Sequence, residues 1–304
     1  MSSRIAFLGS KDAGLRVLAA LVDVPYADIV GIACPDDRAD DRSRLAAFDE
    51  SAARHSVPLA VVNRAADLEA CLEAWRPALV IVCGWYQRIP VERHPSIAFF
   101  GFHASPLPRY RGGAPLPWQI INGEPSLGLS FFELTAGLDE GRIVAQAQRP
   151  LGPDDTIADA LAWVEACAPA LLAEHAGALM SGDAELREQD GTLASYCSQR
   201  TPADGLIDWR APAQRVHDFV RAQTRPYPGA FTRLPDGRVL RLWRTAVDAR
   251  SYLGPPGAVA ERHADRVVVT CGEGAIAVLE AEVDGEPAPA AVRDLLSSLS
   301  LRLS

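Results

Sequence analysis

Short apolar runs that alternate with helix-length amphipathic stretches over the first third of the chain constrain its fold most. Residues 4–8, 28–34, 58–62 and 78–83 read as buried strands. Between them, residues 12–22, 45–55 and 66–75 carry apolar side chains at helical spacing; in the first, Leu15, Leu18 and Leu21 or Val22 share one face. Strands separated by helices of this length form a parallel sheet with helices on both faces. Ligands of such sheets bind beyond the carboxyl ends of the strands. Gly9 to Gly14 follows the first strand and opens a helix, but it has neither the Gly-x-Gly-x-x-Gly spacing nor that of a P-loop. Strand–helix turn chemistry is the preferred reading there.

With 304 residues the chain can hold one large or two medium domains. Apolar runs at 127–134 and 142–147 continue the first of these. Asp154-Asp155-Thr156 can then cap a long helix reaching about Leu179, with Ile157, Leu161, Val164, Leu171 and Leu179 on its apolar face. Pro169 inside it is expected to kink or split it. Residues 191–203 read as a linker. A short helix at 212–223 and strand-like runs at 239–243, 267–271 and 275–279, punctuated by glycine and proline, predict a small β-barrel. The expected division is therefore a doubly wound, mostly parallel α/β domain over 1–190, a linker, and a smaller β domain over 204–304.

The net charge of −9 argues against a surface that grips a nucleic-acid backbone, although a local basic patch is compatible with it. The six cysteines lie far apart without a Cys-x-x-Cys pair, so reduced buried thiols are expected rather than disulfides. The histidines show no zinc spacing, and no metal is expected. No apolar run approaches the roughly 20 residues of a membrane span. The first residues pass into a strand without a signal-peptide profile, so a cytoplasmic location is expected.

Two loops carry chemistry. The apolar run Ile97 to Phe102 ends in His103 and a loop stiffened by Pro106 and Pro108; the run Leu127 to Leu134 leads to Asp139 between Gly137 and Gly141. A histidine and an aspartate delivered at strand ends are well placed to pair. The carboxylate would orient the ring and favour its charged form, which makes His103 a usable base near neutral pH.

His103-Ala-Ser-Pro-Leu-Pro108, Gly112 and Leu138-Asp139-x-Gly141 resemble the signature of the formyltransferases that use 10-formyltetrahydrofolate. This family includes methionyl-tRNA, amino-sugar and glycinamide ribonucleotide formyltransferases. Ala114-Pro115-Leu116, Ile121 to Glu124, Asp204 to Trp209 and Pro226 to Phe231 are similar to further family segments, so the likeness runs over most of the chain. It implies a Rossmann-like catalytic domain followed by an OB-like barrel, with 10-formyltetrahydrofolate as co-substrate. His103 and Asp139 match two members of the family's catalytic trio, which implies that His103 polarises the formyl oxygen or takes the amine proton and that Asp139 orients and charges it. The third, an asparagine two residues before the histidine, is replaced by Gly101. Backbone N–H groups, water, Gln87, Ser105 or Asn122 are the alternatives that could stand in, and weak or altered activity is another outcome. Arg142 stands where many relatives carry aspartate.

The resemblance further implies that Trp85, Tyr86, Gln87, Ile89, Ser105, Leu107, Gly137 and Leu138 form the folate pocket. Core packing is the competing reading for the two aromatics. Arg109, Tyr110 and Arg111 are candidates for the acceptor, with a solvated charged turn as the alternative. A small-molecule amine, preferably on a nucleotide-linked sugar, is the expected acceptor; a siderophore hydroxylamine, tRNA and water are the others. A folate-binding module that has lost turnover is the reading from another class. A homodimer is left open.

Overall fold

The computed structural model describes residues 3–263, 265–283, 286–287 and 301–303. Five parallel strands build the centre of the first sheet: β1 (Ser3–Gly9), β2 (Ala27–Pro35), β3 (Leu59–Val62), β4 (Leu79–Cys83) and β5 (Ala98–His103). Short α-helices link the first four: α1 (Lys11–Val22), α2 (Leu45–His55) and α3 (Ala65–Trp75). The two-residue strand β6 (Arg111–Gly112) and the helix α4 (Pro115–Ile121) then precede β7 (Ser126–Glu133) and β8 (Ile143–Pro150). The sheet order is β3-β2-β1-β4-β5-β7-β8, with β7 antiparallel to β5.

Ile5, Ala6, Phe7 and Leu8 are completely buried, as a central parallel strand covered on both faces requires. Helix α1 buries Gly14, Val17, Leu18 and Leu21, a stripe at helical spacing. A Cβ at Gly14 would lie 2.8 Å from the Cys83 carbonyl, so glycine there lets the helix press onto the end of β4. The Gly9–Gly14 stretch thus serves strand–helix packing, as its sequence suggests.

Helix α5 (Ile157–Ser181) continues through Pro169 as one helix, so of the expected kink or split the split does not occur. Thr156 opens it with a capping box: the Asp159 carboxylate accepts from the Thr156 backbone N–H at 2.8 Å. Its buried face is Ile157, Ala160, Val164, Ala168, Leu172 and Ala176, whereas Leu161, Leu171 and Leu179 are only partly buried. Burial along this face outweighs the roughly 3 kcal/mol that an interior proline costs a helix.

The remaining elements are β9 (Tyr196–Cys197), α6 (Ala213–Arg221), β10 (Ala230–Arg233), β11 (Val239–Asp248), β12 (Val259–Arg262), β13 (Val267–Thr270), β14 (Ala275–Val283) and β15 (Glu286–Pro287). Apart from β9 these strands form an antiparallel sheet in the order β10-β11-β14-β13-β12, with β15 beside β14. Its core joins Trp209, Val216 and Val220 to Leu240, Leu242, Val269, Ile276 and Val278. The Trp209 indole N–H donates to Thr232 Oγ1 at 2.9 Å.

Two compact units result, and their ranges interleave. One holds 1–115, 128–149 and 161–197; the other holds 116–127, 150–160 and 198–304. The stretch read as a linker contains β9, which pairs in parallel with β6 inside the first unit. A pair of two-residue strands leaves no periodicity in a sequence.

Candidate active site

Strand β5 delivers His103 to the carboxyl end of the sheet. Its register against β7 sets His103 opposite Ser130 and Phe102 opposite Phe131. The Phe102 and Phe131 rings stack at 4.5 Å, and Phe132 meets the His103 ring edge-on at 6.3 Å. Buried Ser130 accepts from the Leu107 N–H at 3.1 Å and donates to the Ser105 carbonyl at 2.7 Å. Gln146 donates to Ser130 Oγ and to the Leu107 carbonyl, each at 2.8 Å. Neighbouring strands therefore fix the loop that follows His103.

The imidazole is 9% exposed and engaged on both sides. Nε2 lies 2.7 Å from the Tyr110 carbonyl, and Nδ1 lies 3.7 Å from Asp139 Oδ2. That same carboxylate oxygen accepts from the Gly112 N–H at 2.8 Å. Tyr110 (φ 61°) and Asp139 (φ 50°) both adopt left-handed backbone, a conformation aspartate tolerates through its short polar side chain. The predicted His103–Asp139 pair is thus brought to 3.7 Å, longer than a direct hydrogen bond.

Around this pair the predicted pocket residues divide. Tyr86 and Leu138 are each 58% exposed. Burial, followed by the carboxylates of Asp37, Asp40 and Asp36, pushes the Tyr86 phenol upward. Trp85 and Ile89 pack with Leu134 against a core cluster that includes Val82 and Phe99, and the buried Trp85 indole N–H has no hydrogen-bond partner among the described residues. Leu107 is a core residue packed with Phe132 and Ile143. The Glu140 side chain folds over Gly137.

A Cβ at Gly101 would sit 2.8 Å from Leu134 Cδ1 and 3.0 Å from the Val82 carbonyl. Leucine thus fills the space in front of that glycine. Gln87 donates to the Val62 carbonyl at 3.4 Å and Ser105 Oγ to the Arg109 carbonyl at 2.8 Å, so both side chains are engaged elsewhere. Asn122 closes α4 as the turn residue the sequence suggests, its N–H donating to the Trp118 carbonyl, and belongs to the other unit.

Of the acceptor candidates, the Arg109 guanidinium lies 5.4 Å from the Tyr110 ring. Arg111 is buried: it donates to Gln189 Oε1 (2.8 and 3.2 Å) and to the Tyr196 hydroxyl (3.2 Å). Arg142 forms a two-pronged pair with Glu133 at 2.8 and 3.1 Å, which accounts for a basic residue at that position. A cavity of about 480 Å³ beside the loops is lined by Arg111, Glu140, Arg142, Glu188 and Gln189, among others.

Sequence reasoning missed Ser130, Gln146, Gln189, Ser195 and Tyr196. Ser130 and Gln146 are polar residues inside apolar strands, a signal that was available; the others lie in a stretch without periodicity. Burial and the Asp139 carboxylate push the neighbouring Cys197 thiol up to about 11. Among the described residues no group of three or more His, Cys, Asp or Glu could hold a metal ion, and no helix is long and apolar enough to cross a membrane.

Comparison with known proteins bears on the family and the fold. Residues 3–176 match the formyl transferase family and residues 200–297 match its C-terminal domain. A methionyl-tRNA formyltransferase of Sorangium cellulosum is 32% identical over 98% of this chain and 97% of its own. An N-formyltransferase from Helicobacter canadensis, solved with folinic acid and dTDP-3-aminofucose, superimposes with a TM-score of 0.69 at 16% identity, over 92% of this chain and 99% of its own. HypX from Aquifex aeolicus in complex with tetrahydrofolic acid gives 0.66 at 17% identity, over 98% of this chain and 48% of that one. Both the sequence likeness and the shared fold lead to one conclusion: the chain belongs to the formyl transferase family.

Proposed function

We propose that this protein moves a formyl group from 10-formyltetrahydrofolate to the amino group of a small molecule, with a nucleotide-linked amino sugar as the preferred acceptor. In this reading residues 1–190 are the catalytic domain and 204–304 the smaller one. The observation that carries it is His103 facing Asp139 at the carboxyl edge of the parallel sheet. The folate supplies the formyl group. Its C–N10 bond breaks, a C–N bond to the acceptor forms, and one proton passes from the amine to N10.

In a neutral imidazole one nitrogen carries hydrogen and the other accepts it. The Tyr110 carbonyl takes the hydrogen bond from Nε2, so Nδ1 is the atom that receives and returns the amine proton, with Asp139 beside it. The residues fit a flat ring with polar edges. Tyr86 and Leu138 offer exposed apolar surface for its face. Trp85, Tyr86, Gln87, Ile89, Gly137 and Leu138 are retained as the folate contacts, with buried Ser105 and Leu107 supporting the loop beneath. Arg109 and Tyr110 are retained toward the acceptor.

A small acceptor is supported by the charge of the loop after β2. Arg38 is paired with Asp36, Arg42 with Asp40, Lys11 with Asp37 and Asp40, and Arg44 with Asp12. A tRNA backbone needs cations that are not already neutralised. The identity to methionyl-tRNA formyltransferases favours tRNA as the second reading. Release of tetrahydrofolate with a panel of small amines and with methionyl-tRNA decides between them. Turnover with a small amine is the expected result. Turnover with tRNA alone, weakening steeply with salt, would overturn the choice, and folate binding without any turnover would support a binding module instead.

A further inference from the structure

The chain from Gln189 to Cys197 lies between the two stretches that match the family, yet it touches both loops of the site. The Gln189 amide N–H donates to the Asp139 carbonyl at 2.8 Å and to the Gly141 carbonyl at 2.7 Å. Its amide oxygen accepts from Arg111 at 2.8 and 3.2 Å. Arg111 precedes Gly112, whose N–H holds the Asp139 carboxylate. One side chain therefore ties the histidine loop to the aspartate loop.

The following residues fasten the histidine loop from the same side. Ser195 Oγ accepts from the Tyr110 N–H at 2.9 Å, and the Arg111 N–H donates to the Ser195 carbonyl at 2.8 Å. The Gly113 N–H donates to the Cys197 carbonyl at 3.0 Å, and the Cys197 thiol lies 3.4 Å from the Arg111 carbonyl and 3.6 Å from that of Tyr110. The Tyr110 carbonyl also faces the ring, where it anchors His103 Nε2. A Cβ at Gly112 would lie 2.6 Å from the Cys197 carbonyl, so only glycine admits the approach.

We propose that this segment is a positioning strap, and that Gln189 is its key residue, setting the separation of His103 from Asp139. The inference rests on the formyl-transfer reading and deepens it. Both ends of the Gln189 amide are bonded to protein groups, so it acts by fixing the Asp139 backbone from behind. A displacement of about 1 Å at a reacting group can cost on the order of 10²-fold in rate.

The test is Gln189→Ala, with Gln189→Glu as a second variant that can still accept from Arg111 but has no amide N–H for Asp139 and Gly141. Arg210→Ala, which removes an exposed ion pair with Asp208 in the other compact unit, serves as control. Both Gln189 variants should lower kcat by about 10- to 100-fold, leave the KM for 10-formyltetrahydrofolate within about twofold, and shift the His103 imidazole resonances in the ligand-free protein. The control should change none of these. Unchanged kcat, or a kcat that falls only in proportion to the folded fraction, would overturn the strap. If the wild-type protein transfers no formyl group, the functional reading fails. The imidazole resonances then still decide, because signals that are the same with and without the Gln189 side chain would overturn the inference alone.

Discussion

At the residue scale, the site was legible where chemistry forces a residue type and obscure where only a neighbour explains it. His103 and Asp139 announce themselves because strand ends and glycine-flanked turns deliver them, and the structure brings them together. Gly101 was legible as a departure, but not its consequence. The leucine that fills its inner face is 33 residues later in the chain and becomes a neighbour only through the β5–β7 pairing. This predicts an asymmetric outcome: Gly101→Asn alone should lower thermal stability by overpacking, by about 1–3 kcal/mol, and Leu134→Ala in the same chain should recover part of it. Chemical denaturation of the two variants checks this. Additive losses would show that Leu134 does not occupy that space. Arg111 was expected to meet the acceptor, whereas its burial against Gln189 and Tyr196 makes it part of the loop framework.

Elements were readable in proportion to their periodicity. Strands β1 to β4 and helices α1 to α3 appear close to their expected bounds because apolar runs and stripes mark them. Helix α5 was readable in its cap but not in its buried face. Half of that face is alanine, which hydropathy patterns weigh lightly, so the flanking leucines drew the prediction off by a position. Removing the cap by Thr156→Ala should cost about 1 kcal/mol, measurable by urea unfolding; no change would mean that tertiary contacts alone hold the first turn. The β6–β9 pair was invisible, because two residues carry no period and their partners are 85 residues apart.

At the scale of the whole molecule, one local charge pairing recurs among the described residues. Asp36/Arg38, Asp40/Arg42, Asp208/Arg210, Asp236/Arg238 and Asp248/Arg250 all pair an aspartate with an arginine two residues later. Hydrogen bonds from these arginines hold Asp36 and Asp248 down to about 2. Glu261 is held at about 2 as well, first by the Tyr252 hydroxyl, then by His263 and Arg250. A carboxyl whose folded value lies below its ordinary 4.5 stabilises the fold above that pH and loses the contribution as pH falls toward 2. The midpoint of thermal unfolding should therefore drop between pH 5 and 2, and Glu261→Gln should flatten that slope; an unchanged slope would assign the acid sensitivity elsewhere. The local pairing also predicts weak, salt-insensitive association with tRNA, measurable by titration at two ionic strengths.

The most direct test of the central claim separates chemistry from binding at the His103–Asp139 pair. Tetrahydrofolate release and folate affinity should be measured side by side for the wild type, His103→Ala and Asp139→Asn. The account predicts turnover reduced by about 10²-fold or more in both variants, with folate affinity within a few fold of wild type. Turnover that survives both substitutions, or that falls only because folate no longer binds, would contradict it.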